Sequence, residues 1–200
     1  MAVPADYWNH NAAYHPWLVS IAAQHRGDVL DVGGGDGLLA QRLAPVSRSV
    51  TAIDPDAAAI ERAASRLASH RNVTVAQQSF DGYDSGTVQF DLITFVASLH
   101  HMDLRTSLLK ARGLLTPTGE IAVVGCAANK TVRDWVWSIM CVPAARIGSW
   151  LHSETRNIGV VVTDPQQGLD EIRGTADDVL PGASVRRGLY YRYLLRWSNR

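Results

Sequence analysis

Short apolar runs alternate with longer Ala- and Leu-rich stretches along most of this chain. The alternation is typical of a parallel sheet whose strands are joined by crossover helices. The predicted strands are residues 28–32, 49–53, 73–77, 91–96 and 120–125, and the predicted helices between them are residues 38–43, 56–69 and 104–114. Because residues 91–96 are almost wholly apolar, we expect that strand to be covered on both faces. Residues 116–119, with their Pro and Gly, are predicted to form a turn.

The last third of the chain departs from this alternation. Residues 127–151 carry Trp135, Trp137 and Trp150, and they are predicted to form a helix outside the strand pattern. We interpret residues 127–165 as a substrate-side insertion and residues 1–27 as an N-terminal lid segment. Residues 168–180 are predicted to form a last helix and residues 184–198 a closing pair of strands. The whole chain, 1–200, is predicted to be a single domain.

Composition narrows the class of partner. The chain is 46% hydrophobic and 19% charged, and its 19 Lys and Arg residues balance 19 Asp and Glu residues. This neutrality argues against a protein whose affinity rests on nucleic-acid phosphates or anionic lipid, so we expect a small-molecule partner. Cys126 and Cys141 lack metal or redox spacing. With no basic start followed by an apolar run, and no stretch of about 18 apolar residues, we expect a cytoplasmic protein without a membrane segment.

The sharpest motif is VLDVGGGDG, residues 29–37, in which a predicted strand runs directly into a glycine cluster. Glycines let the chain turn tightly and let its backbone approach a ligand. A second acid, Asp54, ends the next predicted strand, where a carboxylate can accept both ribose hydroxyls of an adenosine. The combination indicates an adenosine-containing ligand, whereas the bland alternative is a plain strand-to-helix turn.

Two adenosine ligands compete for this motif. Residues 35–40, GDGLLA, also fit the G-x-G-x-x-A fingerprint, so an NAD-dependent oxidoreductase is one hypothesis. Asp31 speaks against it, because a carboxylate beside a pyrophosphate would repel it. The same carboxylate suits the ammonium and sulfonium groups of S-adenosylmethionine. The chain also lacks a second glycine-rich turn or a further domain for a hydride acceptor.

Four blocks occur in a familiar order: residues 29–40 (VLDVGGGDGLLA), 52–56 (AIDPD), 90–102 (FDLITFVASLHHM) and 114–125 (LLTPTGEIAVVG). From residue 28 to residue 197 the chain resembles the class I S-adenosylmethionine-dependent methyltransferases of the small-molecule type, with a methyltransferase type 11/12-like domain. The resemblance implies an α/β fold with a Rossmann-like seven-stranded sheet, mostly parallel with an antiparallel last strand, and helices on both faces. It also implies that S-adenosylmethionine is converted to S-adenosylhomocysteine.

The resemblance assigns residues to parts of the cofactor. Residues expected at its methionine part are Asp31, Gly33, Gly34, Gly35 and Gly37. Asp54 is expected at the ribose, with Pro55 packing next to it, and Val96 and Ala97 are expected to line the cofactor through backbone atoms. The family's acid before the adenine-binding hydrophobic residue is missing here, because the aligned pair is Ser79 and Phe80. We expect Asp81 or the Ser79 hydroxyl to replace it, Phe80 to stack on adenine, and Tyr14 to close on the cofactor.

Methyl transfer is an in-line displacement at an already activated carbon, so alignment matters most and a general base is optional. The candidate bases are His100 and His101, just after the fourth strand in the chain; the alternative is that both imidazoles cap backbone groups or lie at the surface. Residues expected at the acceptor, under an aromatic lid, are Trp8, His10, Trp17 and Trp135, although ordinary helix packing would use the same aromatic side chains. No metal is expected, because His100, His101 and Asp103 are too close in sequence to converge.

The sequence therefore predicts an enzyme that methylates a small, aromatic or hydrophobic metabolite, as a monomer or homodimer. The arginines near the C-terminus fall on both faces of the predicted strands, so we expect no nucleic-acid partner. Two other hypotheses share the cofactor site: a binding module without transferase activity, and a non-methylating enzyme that uses bound S-adenosylmethionine as a fixed charge.

Overall fold

The computed structural model describes residues 6–152, 154–155 and 164–199. Its strands are β1 (Asp28–Val32), β2 (Ser49–Asp54), β3 (Val73–Gln77), β4 (Phe90–Val96), β5 (Leu115–Cys126), β6 (Ser184–Arg187) and β7 (Arg192–Ser198). Its α-helices are α1 (His15–His25), α2 (Leu38–Leu43), α3 (Ala57–Leu67), α4 (Leu104–Gly113), α5 (Val132–Leu151) and α6 (Leu169–Val179). Single 3₁₀ turns lie at Ala12–Tyr14, Ala44–Val46 and Leu99–His101.

The seven strands form one sheet in the order β3-β2-β1-β4-β5-β7-β6. The first five run parallel, and β7 lies antiparallel between β5 and β6. This arrangement confirms the predicted Rossmann-like sheet with an antiparallel last strand. The strand order reverses between β1 and β4, and in open α/β sheets a ligand crevice forms at the carboxyl ends of the strands at such a reversal.

Helices cover both faces of the sheet, so its central strands are largely apolar. On one face, α4 and α6 pack with a cluster that includes Phe95, Ile121 and Trp197. On the other face, α1, α2 and α3 contribute Leu18, Leu43 and Ala63 to a second cluster. The prediction that residues 91–96 are covered on both sides is confirmed, because their side chains alternate between the two clusters.

α1 belongs to this core, although its residues fall within the predicted lid segment 1–27. Leu18, Ile21 and Ala22 on α1 are all at most 1% exposed. The helix ends at Arg26, which takes a left-handed conformation with φ 52°. Most of α1 is therefore part of the core. Among the described residues of the predicted lid segment, only the stretch before α1 and His15 at the start of the helix line the cavity that is described below.

β5 is longer than expected, because residues 116–119 continue the strand instead of forming a turn. Leu115 pairs with Phe90, and after a shift in register Glu120 pairs with Leu92. Such an irregularity absorbs residues that fit a regular ladder poorly, here Pro117 and Gly119. A Cβ on Gly119 would lie 2.8 Å from the Phe90 carbonyl oxygen, so glycine is needed for this close approach.

α5 is the helix predicted within residues 127–151. It begins at a capping box in which the Thr131 hydroxyl and the Asp134 carboxylate each bind the other's backbone N–H. The side that faces the protein is formed by Asp134, Cys141, Ala145 and Gly148. None of the helices in the described ranges combines the length and the apolar character needed to cross a membrane.

Candidate active site

A cavity of about 810 Å³ opens where the carboxyl ends of β1, β2 and β4 meet. Its wall combines the glycine turn after β1, Asp54 at the end of β2 and the loop after β4 with residues 7 and 9–12 and with Glu154 and Thr155. This volume lies in the range of roughly 300–1,000 Å³ that is usual for small-molecule sites. The cavity therefore has the position and size expected of the predicted site.

The glycine turn needs glycine for steric reasons. Gly33, Gly35 and Gly37 all have positive φ angles, of 72°, 57° and 80°. A Cβ on Gly33 would lie 2.3 Å from the Cβ of Ser98. The Ser98 hydroxyl donates a hydrogen bond to the Val32 carbonyl oxygen at 2.6 Å, which ties the loop after β4 to the end of β1. The cavity floor is thus a compact junction of two strand ends.

Asp31 is a buried carboxylate with an unsatisfied oxygen. It lines the cavity, is 1% exposed, and accepts a hydrogen bond from the Thr94 hydroxyl through Oδ1 at 2.8 Å. Its Oδ2 is buried without a hydrogen-bond partner in the described chain. Burial raises the pKa of Asp31 to about 7, against the effect of the Thr94 bond and with a contribution from the charge of Asp54. A cationic ligand group at Oδ2 would satisfy this oxygen, so the site fits the ammonium of S-adenosylmethionine.

Asp54 is held in place by the backbone on either side of it. Its Oδ2 accepts the Gly35 N–H and its Oδ1 accepts the Asp56 N–H, both at 2.9 Å. A carboxylate has about four acceptor positions, so each oxygen keeps capacity for a ligand hydroxyl. Asp54 therefore joins the glycine turn to the loop after β2 and can also accept the two hydroxyls of a ribose.

Asp36 anchors the N-terminal segment across the site. Its carboxylate is 4% exposed and accepts hydrogen bonds from the Tyr7 hydroxyl at 3.0 Å and from the Arg66 guanidinium at 2.8 Å. Burial and the charge of Asp36 raise the pKa of the Tyr7 phenol well above its usual range. The sequence analysis missed this role, because it treated Asp36 only as the variable position between Gly35 and Gly37. An acid between two glycines was the available signal, but nothing in the sequence pointed to Tyr7 or Arg66.

Four imidazoles lie on the cavity wall, and they have different environments. His10 Nε2 is 3.6 Å from Glu154 Oε1, and the ring stacks on Tyr190. Burial lowers the pKa of His15 to about 3, and the Arg42 guanidinium, which lies 3.1 Å from its Nδ1, adds to the effect. The rings of His100 and His101 lie 4.1 Å apart and tilted. His15 is thus neutral at ordinary pH, whereas His10 lies beside the Glu154 carboxylate.

The structure brings most of the predicted site residues to this cavity, though not all of them. Those that line it are Asp31, Gly33, Gly34, Gly35, Asp54, Pro55, Val96, Ala97, His10, His100 and His101. Those that lie elsewhere are Gly37, Tyr14, Ser79, Phe80, Asp81, Trp8, Trp17 and Trp135. Gly37 still acts indirectly, because its left-handed conformation forms the start of α2.

The expectation for the adenine end needs correction. Phe80 is 2% exposed and packs edge-to-face on Phe95 in the core, with ring centroids 5.4 Å apart, so its face is not available to a ligand. Ser79 is exposed, and its hydroxyl accepts a long hydrogen bond from the Gly82 N–H at 3.4 Å. Asp81 is exposed in the same loop. A large apolar ring gains more from burial in the core than from a half-open ligand site, which explains the difference.

The aromatic residues predicted as a lid also lie off the cavity wall. The Tyr14 hydroxyl donates to the Leu189 carbonyl oxygen at 2.8 Å, so Tyr14 braces the turn between β6 and β7 and is not part of the cavity wall. Trp8 stacks on His152, with centroids 4.8 Å apart. Trp17 packs against the core beneath α1, and Trp135 is 59% exposed. Of the four residues expected at the acceptor, His10 alone lines the cavity.

Part of the backbone strain in the described residues lies at or next to this site. Ala97, on the cavity wall, has φ 51°, and Tyr190 and Tyr191 have φ 56° and 61°. Non-glycine residues rarely adopt these angles, and they persist where the surrounding structure imposes them. Ala97 is held by its N–H, which donates to the Val124 carbonyl oxygen at 2.8 Å.

No cluster of three or more His, Cys, Asp or Glu side chains suited to a metal occurs among the residues that the structure describes.

The fold and cavity define a Rossmann-like protein with a nucleoside site at the strand reversal, and comparison with known proteins identifies its family. A family model described as "Methyltransferase domain" matches residues 30–121. An uncharacterized methyltransferase of Mycobacterium bovis is 37% identical over 202 residues, which cover 95% of this chain and 96% of that protein. The chain therefore belongs to the S-adenosylmethionine-dependent methyltransferases of class I.

Two further comparisons extend this picture. A ubiquinone biosynthesis O-methyltransferase of Erwinia tasmaniensis is 27% identical over 153 residues, covering 70% of this chain and 62% of that protein. The crystal structure of the N-methyltransferase NodS from Bradyrhizobium japonicum, in complex with S-adenosyl-L-homocysteine, matches with a TM-score of 0.64 at 18% identity. That match covers 96% of this chain and 88% of the other, and it supports the fold.

Proposed function

We propose that this enzyme transfers the methyl group of S-adenosylmethionine to a small aromatic or hydrophobic metabolite bound in the same cavity. The observation that carries the proposal is the continuity of that cavity. It extends from Asp31 and Asp54, which suit the cofactor, to His10, Met102 and Tyr191, which offer a mixed apolar and imidazole surface for a second molecule. The neutral overall charge agrees with an acceptor recognised by shape and apolar contact.

The cofactor would be held by a few groups of opposite character. Oδ2 of Asp31 would accept a hydrogen bond from the ammonium, and the Asp54 carboxylate would accept the ribose hydroxyls. The positive φ angles of Gly33 and Gly35 let the backbone approach the methionine part closely. Pro55, Asp56 and Ala59 line the wall next to Asp54 and would take the place of Phe80 beside the adenine.

S-adenosylmethionine, when bound, supplies a methyl carbon activated by the adjacent positive sulfur. The chain's own contribution is then to align an acceptor atom with that carbon and to exclude water. Positioning of this kind can account for ~7–11 kcal/mol of barrier lowering. The hydrogen bond from the Tyr7 hydroxyl to Asp36 supports this role, because it holds the segment with Asn9, His10 and Asn11 against the cavity.

A proton acceptor is required only if the acceptor group is protonated before transfer. His100 and His101 remain candidates for this base, and both lie on the cavity wall. His10 is a third candidate, and its distance of 3.6 Å to Glu154 favours it, because a nearby carboxylate stabilises the imidazolium that proton transfer creates. His15 is a poor base, since burial beside Arg42 holds its pKa at about 3.

Calorimetry with S-adenosylmethionine and S-adenosylhomocysteine tests the cofactor site. We expect binding to the wild type, a loss of at least tenfold in affinity for Asp54→Ala, and unchanged affinity for the matched control Asp81→Ala. The control separates a general loss of negative charge from the loss of the ribose contact. Binding of NAD in place of S-adenosylmethionine, or an intact affinity in Asp54→Ala, would contradict the proposal.

Transfer of a radiolabelled methyl group from S-adenosylmethionine to a metabolite extract tests the activity. Label should enter the apolar, low-molecular-weight fraction; cofactor binding without any labelled product would favour a binding module or a non-methylating enzyme. Once an acceptor is known, removing the true base should lower kcat by about 10²–10⁴-fold and remove the acid limb of the pH profile. If His10→Gln, His100→Ala and His101→Ala all keep kcat within a few-fold, no imidazole acts as the base.

A further inference from the structure

The side of α5 that faces away from the protein is largely apolar. Its most exposed residues include Val132, Trp135, Ile139, Met140, Ile147 and Trp150, with exposed fractions from 57% to 80%. We call this set the α5 outer face. At about 100° per residue they fall within roughly 140° of the helix circumference, which makes one broad stripe, about 30 Å long for 20 residues. Large contiguous apolar surfaces on a soluble protein mark interaction sites.

The apolar stripe is not the side by which α5 packs on the rest of the fold. The opposite side of α5 is already packed, since Cys141, Ala145 and Gly148 are buried. A Cβ on Gly148 would lie 2.9 Å from the Tyr190 ring, which shows how closely the helix is seated. The Trp137 indole donates to the Gly188 carbonyl oxygen at 3.3 Å. α5 therefore has one side fixed to the protein and one side available to a partner.

The charges on the helix indicate the chemistry of that partner. The ionisable side chains exposed on α5 are Arg133 and Arg146, both cationic. The helix has one acid, Asp134, which is buried and paired with Arg187. Trp135 and Trp150 lie towards the two ends of the stripe, and Trp is enriched where an apolar phase meets water. Arg146 lies within the stripe and Arg133 lies at its edge, and an apolar stripe that carries two cations and no exposed acid complements an anionic lipid surface.

We propose that the α5 outer face docks the enzyme on the surface of an anionic lipid bilayer, with the helix lying in the interface. A second copy of the chain is a poorer occupant. Arg146 lies within the stripe, between Trp135 and Ile139 around the helix, so a face-to-face contact between two copies would bury it with no acid on the partner's α5 to pair with it. The overall charge of zero argues against a protein whose affinity rests on charge alone. The proposed docking instead rests mainly on the burial of the apolar side chains of α5, with Arg133 and Arg146 adding to it.

α5 also contacts parts of the cavity wall through its packed side. Leu189 and Tyr191 are 50% and 39% exposed in the turn that packs against α5, and Tyr191 lines the cavity as well. On the same helix, Ser149 contacts Glu154, another residue of the cavity wall, at 2.8 Å. Docking would thus hold α5, and the parts of the cavity wall that pack on it, close to the lipid. The docking itself does not depend on the acceptor or on the proposed function.

Vesicle co-sedimentation of the full chain tests the proposal. The vesicles are phosphatidylcholine alone, or phosphatidylcholine mixed with phosphatidylglycerol. We expect binding to the mixed vesicles and a loss of at least tenfold in the triple variant Ile139→Ser, Ile147→Ser, Trp150→Ser. The control Val88→Ser, Leu109→Ser replaces apolar side chains of similar exposure, 51% and 45%, elsewhere on the surface and should bind as the wild type does. The substitutions Arg133→Gln and Arg146→Gln should each weaken binding to the mixed vesicles by about fivefold.

Two results would overturn the proposal. The first is no partition of the wild type onto either kind of vesicle, with cofactor affinity confirming that the protein is folded. The second is a stable dimer in solution that dissociates in the triple variant, which would assign the α5 outer face to a second copy. Because the substituted side chains are exposed, the variants should keep wild-type affinity for S-adenosylmethionine, so a folding defect is recognised separately.

Discussion

At the scale of single residues, the site contains residues in environments or backbone conformations that are unusual for their type. Asp31 is a carboxylate buried without a full set of partners, and its pKa of about 7 lies far above that of an exposed aspartate. Ala97 adopts a backbone angle that favours glycine. Such local costs are tolerated at functional sites, where a ligand or a neighbouring strand gains from the arrangement.

The raised pKa of Asp31 predicts a pH-dependent affinity for S-adenosylmethionine. The cofactor's ammonium binds the deprotonated carboxylate, so below about pH 7 binding must first remove a proton, and the Kd should rise about tenfold per pH unit. Asp31→Asn should weaken binding about 10- to 100-fold above pH 7 and should abolish this slope. Calorimetry on both sides of pH 7 measures both effects.

Thr94→Val provides the matched variant for this prediction. It removes the hydroxyl that donates to Asp31 Oδ1 while it keeps the shape of the side chain. Because that hydrogen bond lowers the pKa of Asp31, its loss should move the break in the affinity profile to higher pH. A wild-type profile that is flat through neutral pH would show that Asp31 is already ionised in the free enzyme.

At the scale of elements, the antiparallel end of the sheet is tightly fitted. Gly125 on β5 lies opposite Tyr193 on β7, whose ring is 3% exposed. A Cβ on Gly125 would lie 2.2 Å from the Tyr193 ring. Burial raises the pKa of the Tyr193 phenol well above its usual range. The absence of a side chain at Gly125 therefore lets β7 carry a large aromatic ring against the sheet.

Gly125→Ala should lower the free energy of unfolding by ~1–3 kcal/mol, because the new methyl group overlaps a buried ring that cannot move freely. Gly174→Ala is the matched control. Gly174 lies inside α6 with open space around it, so alanine there should raise stability by ~0.5–1 kcal/mol through helix propensity. Urea unfolding of both variants measures the difference, and an unchanged stability for Gly125→Ala would show that β5 and β7 separate easily.

At the scale of the whole molecule, some of the acids that balance the positive charge are buried and paired with arginines. Carboxylates paired in the folded state include Asp134 with Arg187 and Glu120 with Arg196. Burial by itself would raise the pKa of Asp134, but hydrogen bonds from Arg187 and Thr131 outweigh it and lower the pKa to about 2. The pKa of Glu120 is lowered in the same way by Arg196 and Ser198, against the effect of burial.

These lowered pKa values predict acid sensitivity. Asp134 has a lower pKa folded than unfolded, so the unfolded chain binds the proton more readily and stability rises with pH through this window. The contribution is complete above the ordinary value of 3.8 and is lost as the pH falls towards about 2. Asp134→Asn should be less stable at neutral pH, since Arg187 stays buried without its partner, and should lose less stability on acidification. Urea unfolding over a pH series tests this; parallel curves for the two proteins would contradict it.

Much of the fold could be predicted from the sequence because its signals act over short distances. Residues 91–96 are apolar since a parallel strand is covered on both faces, and this requirement is visible in the strand alone. The glycines at 33, 35 and 37 reflect local backbone angles that other residues avoid. β5 was the main misjudged element, because Pro117 and Gly119 usually indicate a turn and only the pairing of Phe90 with Leu115 keeps that segment extended.

The sequence by itself determined the sheet, the glycine turn and the carboxylates of Asp31 and Asp54, because periodicity and steric limits are written into neighbouring residues. Tertiary structure decided which distant side chains meet. It buried Phe80 in the core, joined Tyr7 to Asp36, and brought His10 to Glu154. It also turned the apolar residues of α5 outward, a choice that the sequence could not reveal, since an apolar helical stripe is equally suited to a core and to a partner surface until the packing of the other elements is known.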